Sequence, residues 1–440
     1  MTRLRLAGRD IFRSLQVRNF RLFFVGQGIS QTGNWLTLIA QTLLVLELTD
    51  SGVALGLLAA AQFGPVLLFG AFAGLVADRS DKRRLLIRVQ TLALVQSFAL
   101  GAVAFMDEPP VVAIYLLAVV GGLATAFDNP ARRSFVVEMV PEDQITNAVS
   151  LNSALMTGSR VVGPALGGLL VHAFGFGWAF WVDGLSYLAV IAGLRLIDPA
   201  QLRPAPAQTR GKGQVRAGLR YAWAMADLRV PLVMMAIVGT LAFNFQTVLP
   251  LFVTRDLDGT DLTFSLLMSV VSLGSLAGAL AAARRKDIQV DLVSLTAAGF
   301  GLSMLLLAVA PTQAVVFPIG VLMGFVSITF MTTSTAIVQL RADPSMRGRV
   351  LALQAIVFLG STPIGGPLVG AISEGFGARY GLALGGLAGL AAGGYGHLAM
   401  RRTGRVTSDA AITAEAVADA ATDAGAGPVV VRPAVPQSPV

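Results

Sequence analysis

The amino-acid sequence predicts an all-α membrane protein with twelve transmembrane helices arranged as two pseudo-symmetric six-helix halves. Three observations lead there. Of the 440 residues, 55% are hydrophobic and 13% charged, against roughly 25% charged in a soluble domain. Apolar stretches of about 20 residues, long enough to cross the ~30 Å hydrocarbon core as helices, recur along the whole chain. Glycine and proline landmarks of the first half of the chain return in the second.

The chain divides into a cytoplasmic N-terminal arm (1–19), a first half (20–197), a linker (198–229), a second half (230–402) and a tail (403–440). The spans fall at about 20–47, 52–77, 85–106, 110–128, 146–172, 176–197, 230–254, 262–283, 290–310, 313–338, 350–373 and 379–400. The first is too long, and lacks the cleavage site, to be a signal peptide; the arginines ahead of it form a retained arm. Within the linker, Pro199, Pro204 and Pro206 with Arg210 and Lys212 suggest a flexible polar segment. Val215, Leu219, Ala222, Trp223 and Ala226, with Arg216 and Arg220 alongside, then follow a helical repeat and predict an amphipathic helix on the inner leaflet, or else a solvated one. The Ala/Asp/Pro/Val-rich tail has no membrane-length apolar run and is expected to be disordered.

Charge sets the expected orientation. Of 33 Lys plus Arg, all but three lie on the expected cytoplasmic side, in the arm, the loops after even-numbered spans, the tail or the span ends bordering them; the exceptions are Arg255, Arg379 and the intramembrane Arg160. By the positive-inside rule both termini are cytoplasmic, in the cell (inner) membrane. The net charge of +8 is thus a topology signal, and no nucleic-acid partner is expected. Cysteine is absent and the two histidines, His172 and His397, lie far apart, so disulfides, thiolate chemistry and a histidine metal centre are excluded. No metal and no cofactor are expected. No phosphate-cradling Gly-rich loop ends in Lys-Ser or Lys-Thr, so the energy source is not ATP bound by this chain. No nucleophile–base pair is visible, and the chain does not read as an enzyme.

The repeat is specific. A shift of 203 brings Gly121 onto Gly324, Phe127 onto Phe330, Pro141 onto Pro344, Gly163-Pro164 onto Gly366-Pro367 and Gly167 onto Gly370. A shift of 204 brings Gly70, Ala73 and Gly74 onto Gly274, Ala277 and Gly278, and one of 210 brings Asn34 and Thr37 onto Asn244 and Thr247. Two repeated halves with a site between them are a transporter pattern.

After span two the sequence reads Gly74-Leu-Val-Ala-Asp78-Arg79-Ser-Asp-Lys82-Arg83-Arg84. This resembles the Gly-x-Leu-Ala-Asp-Arg-x-Gly-Arg-Lys loop motif of the major facilitator superfamily, with Asp81 in place of the second Gly. Gly163-Pro164-Ala-Leu-Gly167-Gly168 in span five resembles the Gly-Pro-x-x-Gly-Gly core of the superfamily's antiporter motif. The fourth-span arginine motif of many drug exporters is missing. Three stretches, Asn19-Phe20-Arg21 with Gly26-Gln27, Phe127-Asp128-Asn129-Pro130-Ala131-Arg132, and Gly218-Leu219-Arg220-Tyr221, are similar to the enterobactin-exporter-like branch, the transmembrane secretion effectors. The resemblance covers about residues 15–400 and implies a major facilitator fold and proton-coupled efflux. It also implies that Gly74, Asp78, Arg79, Lys82 and Arg83 latch the halves at the cytoplasmic side. Arg83 is expected to pair with Asp128. The bases alone would equally follow from topology.

Physical chemistry singles out further residues. Pro164 removes a helical hydrogen bond, and Gly163, Gly167 and Gly168 allow close helix approach, so this element reads as a hinge or as a packing seam. Arg160 and Asp183 are charges within spans, where each costs about 2.5–3.5 kcal/mol even on lenient scales. They are expected to face a cavity, paired with each other or with substrate, and Asp183 is the candidate proton carrier. Gln27, Gln31, Asn34, Thr37 and Gln41 in span one, with Asn244, Gln246 and Thr247 in span seven, form polar stripes that lipid would not tolerate. Trp35 and Phe245 beside them are available to stack on a ligand or to pack. His172 is expected at the interface, and Trp178 and Trp181 in an aromatic belt.

These features predict a secondary active transporter: a monomeric, proton-coupled exporter of a siderophore, drug or other amphipathic small molecule. An uptake carrier of the same fold and a non-transporting membrane scaffold or receptor are the alternatives.

Overall fold

The computed structural model describes residues 12–203, 214–285 and 289–423, and all regular structure in them is helical. Pro204, Pro206, Arg210, Lys212, most of the N-terminal arm and the last seventeen residues of the tail, 424–440, lie outside the described residues. Six helices come first: α1 (Arg18–Thr49), α2 (Gly52–Arg79), α3 (Lys82–Ala104), α4 (Val111–Glu138), α5 (Ile145–Phe174) and α6 (Phe176–Leu196). A short helix α7 (Gln214–Ala224) leads into α8 (Ala226–Leu241), α9 (Phe245–Leu251), α10 (Asp261–Ala283), α11 (Val290–Ala308), α12 (Gln313–Arg341), α13 (Pro344–Phe376) and α14 (Ala378–Asp423).

Among the described residues, ten helical stretches are long and apolar enough to cross a membrane. The expected first and last spans, in α1 and α14, are not among them. Both have the length, 32 and 46 residues, but α1 is diluted by its glutamines and asparagine and α14 by glycine. Hydropathy therefore weakens in α1 where polar residues face protein rather than lipid.

Local chemistry sets the helix ends. Asp50, with φ 41°, closes α1 in the left-handed conformation, and the Ser51 hydroxyl then caps α2 by accepting from the Ala54 amide at 3.2 Å. Gly175 (φ 84°) and Gly377 (φ 106°) make the abrupt α5–α6 and α13–α14 reversals, where a Cβ would be strained. The loop between α2 and α3 shrinks to Ser80 and Asp81. Asp81 caps α3 by accepting from the Arg84 amide at 3.0 Å with an ordinary negative φ, so the position has no need of the motif's glycine.

Two elements differ from the sequence reading. The seventh span is interrupted: α8 ends at Leu241, α9 starts at Phe245, and a π-helical turn follows at Phe252–Asp256. At the break the Phe243 amide reaches back to the Val238 carbonyl and the Asn244 side chain donates to the Thr240 carbonyl at 2.7 Å. The tail, expected to be disordered from residue 403, continues α14 as helix to Asp423. Ala410, Ala411, Ala414, Ala416, Ala418, Ala420 and Ala421 supply the highest intrinsic helix propensity there.

Within α1–α6, α1 packs on α5 and α6, α2 on α4, and α3 on α4 and α6; within α8–α14, α10 packs on α12, α11 on α14, and α8 on α13 and α14. The two groups meet chiefly through α2 against α13 and α5 against α10. Small residues permit both crossings. Gly52 and Gly56 lie against the backbone of Gly370 and Gly366, and Gly168 lies against the Ser265 side chain. At the same end of the bundle Arg255 bonds Asp50 (Nη2 to Oδ1, 3.0 Å), and the Glu374 carboxylate accepts from the Ser51 hydroxyl and the Val53 amide. This seam closes the end opposite the Asp78 loop.

On α7, Ala222 is buried, whereas Leu219 (43% exposed), Trp223 (54%), Arg216 and Arg220 form the outer face. The expected apolar stripe is split: Ala222 turns inward, while Leu219 and Trp223 share the outer face with the arginines.

Candidate functional site

Between the middle of the bundle and the Asp78-loop end lies a cavity of about 420 Å³. Its wall comes almost wholly from α1–α6, with Gln246 at the start of α9 the contribution from the other group. Gln31, Asn34, Trp35, Gln41 and Arg160 all line it, so most of the polar stripe of α1 faces this cavity. Gln41 donates to the Ile114 carbonyl at 3.2 Å and accepts from the Gln62 amide at 2.9 Å, tying α1, α2 and α4 together at the cavity wall.

Asn244 is not on the wall. It is 4% exposed at the α8–α9 break, spending its amide on the Thr240 carbonyl and leaving its oxygen without a partner. Gln27 is also buried outside the cavity, at 1% exposure. Helical spacing placed them on the polar stripe; the helix break turned Asn244 aside, and α6 covers α1 around Gly26.

Arg160 and Asp183 do not pair. Asp183 is fully buried on α6, where its carboxylate accepts from the hydroxyls of Thr37 (2.6 Å), Ser97 (2.8 Å) and Ser186 (3.2 Å). Ser97 has one proton and lies also 3.0 Å from the Phe180 carbonyl, so its bond to Asp183 is shared. Gly33 makes the arrangement possible: a Cβ there would run into Ser186 and Asp183. Thr37 and Tyr187 separate the carboxylate from the cavity they line. Arg160 instead projects into the cavity with its guanidinium 5.6 Å from the centre of the Trp35 ring, a cation–π contact. Hydroxyls surround the acid, whereas the base meets only an aromatic face; the two side chains sit on different sides of α1.

The expected pairing of Arg83 with Asp128 is likewise replaced. Arg83 donates to the Leu194 and Arg195 carbonyls at 2.6 and 2.9 Å, capping the C-terminal end of α6. Its neighbour Lys82 pairs with Glu138 of α4 at 2.8 Å. Asp128 binds Arg132 one turn along α4 (3.1 Å) and accepts from Gln90 of α3 (2.7 Å). A base one turn away on the same helix outcompetes one that must cross to α4. Arg79 is exposed, and Gly74 and Asp78 lie on the last turns of α2, Gly74 buried and Asp78 half-buried.

Gly163, Pro164, Gly167 and Gly168 are buried within an uninterrupted α5. Gly163 seats the Trp35 side chain, Gly167 approaches Leu36 and Ile39 of α1, and Gly168 meets Ser265 of α10. Trp35 is thus pinned from behind, and Phe245 packs with Phe243 and Phe300 rather than facing the cavity. Trp178 and Trp181 form an edge-to-face cluster with Phe98 and Phe105.

The sequence reading missed Gln62, Gln90, Gln96 and Arg132 on the cavity wall. The argument that picked out Gln31, a strong polar group inside an apolar span, applies equally to the three glutamines. Asn19, one of the residues that carry the family resemblance, exchanges two hydrogen bonds through its side-chain amide with the Asp198 backbone, 3.0 and 3.1 Å, fixing the start of α1 to the end of α6.

A family model for transmembrane secretion effectors matches residues 11–433. The chain belongs to the transmembrane secretion effector family. Among relatives of this family member, the staphyloferrin A transporter of Staphylococcus aureus is 24% identical over 361 residues, covering 81% of this chain and 90% of the relative. Macrolide efflux protein A of Streptococcus pyogenes is 24% identical over 354 residues (79% and 87%). The multidrug efflux pump Tap of Mycolicibacterium fortuitum is 25% identical over 362 residues (78% and 86%). Among solved structures, a mutant of the peptide transporter POT superposes with TM-score 0.73 at 13% identity (88% and 95%). A bacterial homologue of the lysosomal transporter Spinster, inward-facing and occupied, gives 0.65 at 16% (89% and 97%). At such identity these structures establish the fold. The secretion effector is a multi-pass membrane transporter of the major facilitator type.

Proposed function

We propose that this secretion effector is a monomeric, proton-coupled exporter of amphipathic small molecules, of the size of a siderophore or macrolide-like drug, working by alternating access. The carrying observation is the polar cavity inside an apolar bundle, sealed at one end by a non-covalent seam. Such a seam can part while another forms at the opposite end, which exposes the cavity to each side in turn.

In this reading the membrane is crossed twelve times by two six-helix halves, with both termini cytoplasmic in the cell membrane. The reciprocal contacts support it: α5 of the first group meets α10 of the second, and α13 of the second meets α2 of the first, each through the repeated Gly-Pro region. The cavity then faces the cytoplasm, ready to load cargo. The Asp78 loop would latch the cytoplasmic side in the opposite state, Gly163–Pro164 would act as pivot, and Asp183 would carry the exchanged proton. The relatives' names, which speak of efflux and of a siderophore, support export over uptake.

Everted membrane vesicles test the reading. Addition of a respiratory substrate should drive accumulation of an amphipathic fluorescent acid such as N-dansyl-leucine, or of a macrolide, and an uncoupler should release it. Accumulation only in right-side-out vesicles would make the chain an uptake carrier, and none in either would favour a non-transporting role.

A further inference from the structure

Among the described residues the cavity wall carries three charged side chains, Asp128, Arg132 and Arg160. The first two neutralise each other at 3.1 Å, and Arg132 is further held by the Asn129 oxygen at 2.8 Å. Arg160 has no hydrogen bond or ion pair to another described residue; its guanidinium lies over the Trp35 ring, 5.6 Å from the centroid. Asp183, a buried acid that pairs with no base among the described residues, is occupied by three hydroxyls and is not on the cavity wall. Arg160 is exposed to the cavity, so its permanently charged guanidinium, left without an anion by its own protein, is open to one supplied by a ligand.

We infer that Arg160 and Trp35 form an anion subsite, and that the cargo carries a single carboxylate beside an apolar, preferably flat, body. The Trp35 ring, backed by Gly163, holds the guanidinium by one face and leaves its N–H edge free to fork around a carboxylate. Asn34, exposed to the cavity, and Gln31 and Gln246 on the wall add neutral donors and acceptors for the rest of the molecule. The volume of about 420 Å³ suits a drug-sized ligand. One uncompensated positive charge favours a monoanion over a neutral or cationic analogue. The inference rests on the cavity being the cargo site, as proposed above.

N-dansyl-leucine and its methyl ester are matched amphipathic probes that differ by one negative charge. Titrated into the purified full-length protein, followed by dansyl fluorescence, the acid should bind tenfold or more tightly than the ester. Arg160→Gln, with its melting temperature checked, should lower the acid to the affinity of the ester. Arg160→Lys should keep part of the preference, because a point charge replaces the fork. Equal affinities in the unaltered protein, or a preference that survives in Arg160→Gln, would overturn the subsite while leaving the cargo cavity standing. Binding of neither probe to folded protein would count against the amphipathic-cargo reading and the subsite with it.

Discussion

Glu374 is the position where the seam can be weighed. It sits near the end of α13, and its carboxylate takes the Ser51 hydroxyl and the Val53 amide, 2.9 Å away, at the N-terminus of α2. These donors reach the carboxylate only if the seam is shut, so the bonds contribute to the closed state and to no other. The site is exposed, which puts each bond at the lower end for a charged acceptor, about 0.5–1 kcal/mol including the favourable helix dipole. Two bonds give about 1–2 kcal/mol, or a five- to thirty-fold change in population. Glu374→Ala should therefore lower the ratio of closed to open seam by that factor, and Glu374→Gln, which keeps an acceptor but loses the charge, by less. Because the chain has no cysteine, Glu108→Cys and Thr312→Cys provide unique spin-label sites on loops at this end. Double electron–electron resonance then reads the two populations directly. A ratio unchanged by Glu374→Ala, in a sample where both distances are populated, would refute the assignment of this contact to the seam.

Three other outcomes follow from the same geometry. Asp183→Asn keeps size but removes the titratable group; folded protein should survive while accumulation ceases to follow the pH gradient, whose worth is about 1.4 kcal/mol per pH unit per proton. Retained dependence in vesicles would remove Asp183 as the carrier. Asp128→Ala leaves Arg132, whose side chain is 6% exposed, as an unpaired buried charge and should destabilise by about 3–5 kcal/mol, read as a fall in melting temperature. Adding Arg132→Met should recover most of that loss, and no recovery would mean the pair is not the cause. Gly33→Ala forces a Cβ against Ser186 and Asp183 and should cost about 1–3 kcal/mol by overpacking; an unchanged melting temperature would show that α1 shifts freely there.

How far the sequence carried the site depended on the range of the interaction. Gln31, Asn34, Gln41 and Arg160 were legible because a polar side chain within a membrane-length apolar run must face something other than lipid, whatever the partner. Gln246 followed by the same argument. Asn244 met the same criterion and landed elsewhere, since the α8–α9 break gave it a backbone carbonyl to satisfy. Partner choice was not legible. Arg83 and Arg132 are both basic residues near the same end of the bundle, and which one reaches Asp128 depends on helix rotation and on the carbonyls that α6 exposes to Arg83.

By itself the sequence determined the class of molecule. Apolar run length, the distribution of 33 basic residues and the repeated Gly-Pro landmarks are summed along the chain, so they need no three-dimensional information. Only the tertiary structure decided which end of the bundle is closed, that Asp183 lies behind a hydroxyl screen, and that Arg160 stands in the cavity over Trp35 without an acid. The reason is physical: desolvation and pairing energies depend on distances of a few ångströms between residues far apart in sequence, and a one-dimensional pattern holds the charges but not those distances.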